Sequence, residues 1–111
     1  MVILRRCTGR LIYCRITFKL VTTRQFDQSW EEVRKAGISN PKGLLHHVAG
    51  LHGNNLIVCD VWESEEAFKK YGEVLMPILD KLGFPMVDIL ITPVHYEYEG
   101  KREDITSRKA V

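Results

Sequence analysis

Along Val58-Cys59-Asp60-Val61-Trp62-Glu63-Ser64-Glu65-Glu66-Ala67-Phe68 a strand pattern turns into a helix pattern at Glu63 and Ser64, with an indole at the junction. Val58, Val61 and Trp62 suit a pleated, half-buried surface. Ser64 can accept from the free N–H groups of a starting helix, and Glu65 and Glu66 stand where the positive end of the helix dipole favours carboxylates. The chain is thereby committed to a sheet covered by the helix that follows it. Trp62 is fixed at the seam between them, a frequent location for small-molecule pockets.

Other elements follow from the same two periods. Over residues 11–20, Ile12, Cys14, Ile16, Phe18 and Leu20 alternate with Tyr13, Arg15, Thr17 and Lys19, which predicts a strand. Thr22 or Thr23 can cap a helix in which Phe26, Trp30 and Val33 share a face and which Gly37 ends. After the turn Asn40-Pro41-Lys42-Gly43, residues 44–49 and 56–62 read as strands joined by the loop 50–55. A second helix runs from Glu65 towards Leu82 with the stripe Ala67, Phe68, Tyr71, Val74, Leu75, Ile78 and Leu82, and Pro77 is expected to kink it or start a new segment. Residues 87–98 read as the last strand, with a bulge or edge at Pro93. The order β-α-β-β-α-β predicts a ferredoxin-like α+β fold, an antiparallel sheet with both helices on one face.

Such a sheet leaves its other face bare, and both faces of residues 56–62 are apolar, so a sheet-to-sheet homodimer is expected. If the 50–55 loop closes on an even number of residues, His47 shares the face of Val58, Asp60 and Trp62, with Leu45 and Ala49 beside it. Leu44, His46, Val48, Ile57, Cys59 and Val61 then face the partner. An odd loop or a bulge exchanges His46 for His47.

The 111 residues make one domain, expected over 11–98, with an N-terminal extension over 1–10 and a charged, flexible tail over 99–111. A net charge of +2 spread along the chain gives no nucleic-acid footprint. Cys7, Cys14 and Cys59 are odd in number and form no Cys-x-x-Cys spacing, which argues against a disulfide framework or thiolate zinc and for reduced thiols in a cytoplasm. The opening apolar run is too short for a signal peptide, and nothing approaches the ~18 apolar residues of a membrane span. The expectation is a cytoplasmic protein with no membrane or nucleic-acid partner.

Gly43-Leu44-Leu45-His46-His47-Val48-Ala49-Gly50, the 58–68 junction, Pro77 and Thr92-Pro93-Val94-His95-Tyr96 resemble the antibiotic biosynthesis monooxygenase-like group of dimeric α+β-barrel proteins, over roughly residues 12–98. The resemblance implies a homodimer with one pocket per subunit between sheet and helices. Among its enzymes are cofactor-free oxygenases of aromatic polyketide-like substrates and haem-degrading proteins. Trp62 matches the tryptophan these proteins place at the end of the third strand. Tyr71 stands where many of the oxygenases have histidine, a departure that removes an acid–base group from that position.

His47 and Asp60 are the candidate catalytic residues. The imidazole of His47 can exchange a proton near neutrality, or it can be a structural histidine tied to Asp60 across the hairpin. Asp60 in an apolar strand must be hydrogen-bonded or perturbed, or else paired with Arg15 or Lys19. Trp62, Tyr71 and Leu45 are the candidate substrate-binding residues, although an indole here also serves as a core aromatic. His46-His47 is not a metal motif, because neighbours on a strand face opposite ways, and no metal, flavin or nucleotide motif calls for a cofactor. Three readings stay open: cofactor-independent oxygenation of a quinol or anthrone-like aromatic, a non-catalytic small-molecule binding or sensing module, and a structural dimer without ligand.

Overall fold

A computed structural model describes residues 10–98 and Gly100, the side chains of Met86 and Val87 excepted. The extension expected over 1–10 and the tail expected over 99–111 thus lie outside the described residues, Arg10 and Gly100 apart. The elements are β1 (Ile12–Lys19), α1 (Thr23–Lys35), β2 (Leu44–His52), β3 (Asn55–Trp62), α2 (Glu65–Lys81) and β4 (Met86–Pro93). The strands form one antiparallel sheet in the order β2-β3-β1-β4, and the fold is the ferredoxin-like α+β arrangement.

Both helix starts follow their capping residues. Thr22 caps α1 through a capping box: its Oγ1 accepts from the Gln25 N–H at 3.1 Å, and Gln25 Oε1 accepts from the Thr22 N–H at 2.9 Å. Ser64 Oγ accepts from the Ala67 N–H at 3.1 Å. Helix α2 continues through Pro77 to Lys81 as one element, so the proline does not start a new segment. The expected stripe needs one correction. Phe68, Tyr71, Leu75 and Leu79, three and four residues apart, are the line that packs on the sheet, and Val74 is rotated off it and 48% exposed.

The hairpin is tighter than the sequence suggested. β2 continues through Gly50, Leu51 and His52, and the turn is Gly53-Asn54, with Gly53 at φ 64°. His52, read as a turn residue, closes the hairpin opposite Asn55. The turn is even, so His47 stands opposite Asp60 and Ala49 opposite Val58. At the other end the register shifts between Leu44 and His46, which brings Leu44 opposite Trp62 and makes Leu45 the extra residue. Gly43 prepares that entry. A Cβ on it would lie 2.8 Å from the Ala67 Cβ, and its φ of 92° suits glycine.

Ile12, Cys14, Ile16 and Phe18 of β1 and Leu56, Val58 and Trp62 of β3 face both helices in two apolar clusters. The opposite face carries Tyr13, Arg15 and Thr17, paired with Val61, Cys59 and Ile57, and is open, with Val48 65% and Leu90 42% exposed. The last strand stops at Pro93 rather than extending to 98, because its partner β1 begins at Ile12.

Candidate functional site

Asp60 lies on β3 between Cys14 of β1 and His47 of β2, and at 7% exposure it must find its partners inside the protein. It finds two. His47 Nδ1 lies 2.6 Å from Oδ1, and the Trp62 indole N–H donates to Oδ2 at 3.3 Å. An ionised carboxylate only accepts, so the His47 proton is assigned to Nδ1 and the lone pair to Nε2. The ion pair considered for Asp60 with Arg15 or Lys19 does not form: Arg15 sits opposite Cys59 on the open face, and Lys19 is at the far end opposite Asn55.

The other polar atoms nearby are already engaged. Tyr71 donates its hydroxyl to the Ile38 carbonyl at 2.8 Å. Burial first, and then the charge of Asp60, raises its phenol above the ordinary value, so it stays neutral and is unsuited to act as a base. Burial, with the charges of Asp60 and Glu65, pushes the Cys14 thiol up to about 12, which makes it inert.

Aromatic rings flank the pair, in which the His47 side chain stays 28% exposed. The His47 ring stacks on Phe26, with centroids 6.2 Å apart and planes 13° apart, and meets Trp30 edge-on at 5.6 Å. Trp62, 2% exposed, packs on Phe68 at 5.8 Å and on Tyr71 at 5.7 Å. Between these walls lies a cavity of about 100 Å³, lined by His47, Asp60, Trp62 and Tyr71 among others. A larger hollow of about 290 Å³ between the C-terminal ends of α1 and α2 is lined by Glu32, Lys35, Ile78 and Lys81 and carries neither histidine nor aromatic ring.

Four of the five candidate residues thus meet at one cavity. Leu45 does not: the bulge puts Leu44 against Trp62 and into the cavity wall in its place. His46 turns to the open face, where its Nε2 lies 3.0 Å from Glu97. Phe26 and Trp30 are lining residues that the sequence reading treated as helix packing. Their i, i+4 spacing was the available signal, since it places both rings on one face of α1. Among the described residues no group of His, Cys, Asp and Glu could hold a metal, and no helix is long and apolar enough to cross a membrane.

No protein-family model matches the sequence, and no curated protein matches it either. Solved structures match its fold. SnoaB, a cofactor-independent oxygenase from Streptomyces nogalater, matches with a TM-score of 0.58 over 81% of this chain and 97% of its own, at 11% identity. A monooxygenase from the gene ActVA-Orf6 of Streptomyces coelicolor, solved with the ligand nanaomycin D, has a TM-score of 0.56 over 83% and 94%, at 14% identity. A conserved protein from Methanosarcina mazei Go1 has the same score over 76% and 92%, at 12% identity. The chain has the fold of antibiotic biosynthesis monooxygenase-like proteins, and at such identities the likeness is one of fold, which many activities can share.

Proposed function

We propose that this chain is a small-molecule pocket protein of the antibiotic biosynthesis monooxygenase-like family that oxygenates a quinol or anthrone-like aromatic without a cofactor, as a cytoplasmic homodimer. The observation that carries the reading is the buried Asp60 carboxylate holding His47 by Nδ1 at the wall of an aromatic cavity. That arrangement leaves Nε2 as the base and Asp60 as the group that orients the ring and stabilises the imidazolium formed when it takes a proton. It also offsets the loss of histidine at the position of Tyr71, since the imidazole comes from the facing strand.

In this reading the hydroxyl or acidic C–H of the substrate gives its proton to His47 Nε2. The resulting anion is electron-rich enough to pass an electron to O2, and the two radicals combine at a ring carbon. One oxygen atom stays on that carbon, and the other leaves as water with two substrate hydrogens. Trp62 and Tyr71 wall the ring. A second copy on the open sheet face would cover Val48, Ile57, Val61 and Leu90.

Oxygen uptake with a panel of quinols and anthrones tests the reading. The wild type should consume oxygen with at least one of them. His47→Ala should abolish uptake while leaving binding within a few-fold, because a general base acts on the barrier. Binding without uptake across the panel would overturn the enzymatic reading in favour of a sensing module. Fluorescence will report both indoles, since Trp30 lines the cavity with Trp62.

A further inference from the structure

We propose that Trp30 sets ligand size at this cavity, closing it over His47 so that it takes a single-ring hydroxyaromatic, a monocyclic phenol or hydroquinone, and excludes fused two- and three-ring analogues. The inference rests on the reading of the cavity as a hydroxyaromatic site and narrows it.

Volume carries the first step. The cavity, open to solvent on one side, holds about 100 Å³, whereas an apolar cavity of about 150 Å³ holds one benzene ring and drug-sized pockets begin near ~300 Å³. One ring enters with slight give in the walls. Three fused rings require a wall to leave.

The walls differ in how firmly they are held. Trp62 is anchored by its N–H on Asp60, and Tyr71 by its hydroxyl on Ile38. The floor is an edge-to-face pair of Phe18 and Phe84, 5.7 Å apart and both buried. Trp30 differs from these. It is part-exposed, stands nearly perpendicular to Phe26 and to His47, and its N–H bonds to no protein atom among the described residues. Rotation or truncation of this indole therefore breaks no hydrogen bond, and it removes the barrier next to the one nitrogen that can accept a ligand hydroxyl.

Anaerobic isothermal titration of the whole protein with hydroquinone, naphthohydroquinone and anthrone tests the proposal, with oxygen uptake measured separately. The wild type should bind hydroquinone at least tenfold more tightly than anthrone. Trp30→Ala should gain at least tenfold for anthrone and lose affinity for the single ring, and Trp30→Leu, which keeps an apolar helix face, should fall between them. Anthrone binding the wild type as tightly as hydroquinone, or an order of affinities unchanged in both variants, would overturn the proposal. A size rule that holds without oxygen uptake supports it while removing the oxygenase reading. Failure of all three ligands to bind the wild type and both variants would overturn it along with the pocket itself.

Discussion

Asp60→Asn isolates what the shared carboxylate contributes. In the native site both oxygens accept, one from His47 and one from Trp62. An asparagine offers one acceptor and one donor group in nearly the same volume, so it cannot serve both. If its oxygen faces His47, its NH2 confronts the Trp62 N–H, and a donor in a site only 2% exposed loses its partner. A buried unsatisfied group costs about 1–3 kcal/mol, which for a domain of this size is a fall in Tm on the order of 10 °C. If the amide turns the other way, Trp62 is satisfied and His47 must accept at Nδ1, moving its proton to Nε2 and removing the base. Either way one of two readouts changes. Urea unfolding measures the first, and oxygen uptake with the best quinol measures the second, where a loss of roughly 10²–10⁴-fold is expected for a missing general base. A variant within about 0.5 kcal/mol of the wild type and with uptake intact would refute the shared-acceptor account.

Alkaline pH should loosen the fold through groups that folding keeps protonated. The Cys14 thiol is pushed up from 9.0 to about 12, so its contribution is complete below pH 9 and is lost as pH rises towards 12, at up to ~1.4 kcal/mol per pH unit. The raised phenol of Tyr71 acts in the same direction above pH 10.0. Urea midpoints between pH 8 and 11 should fall less steeply for Cys14→Ala than for the wild type, and parallel curves would refute the assignment. For assembly, light scattering at micromolar concentration should give a dimer, and Ile57→Glu should give a monomer or an unfolded chain, because a carboxylate buried without a partner costs several kcal/mol. A monomeric wild type would refute the sheet-to-sheet arrangement.

Most of the sheet was readable because its rules are local. Alternation located β1 and capping chemistry the starts of both helices, while the parity of the hairpin put His47 on the face of Asp60 only on condition of an even loop, a condition the two-residue turn meets. What escaped was set by contacts distant in sequence. Leu44 and Leu45 are chemically identical, and only the close approach of Gly43 to Ala67 and the bulge beyond it decide which of them meets Trp62. Trp30 looked like one more apolar residue on a helix face. A helical period tells which residues share a face but not whether that face meets a filled core or a gap. The end of β4 depended on where β1 starts, so nothing in residues 94–98 could reveal it.

The strand order also governs how the molecule is made and how it opens. β1 lies between β3 and β4, and its pairing with β4 joins Ile12 to Pro93, nearly the whole described length. The β2–β3 hairpin, closed by a two-residue turn, can form at once, while the β4 edge must wait until residues 86–93 have left the ribosome. Among the described residues, none of those lining the cavity comes from β4. The last-formed edge is therefore free to exchange its amide hydrogens first, fraying and reannealing while the chamber around His47 and Asp60 stays assembled on the other strands.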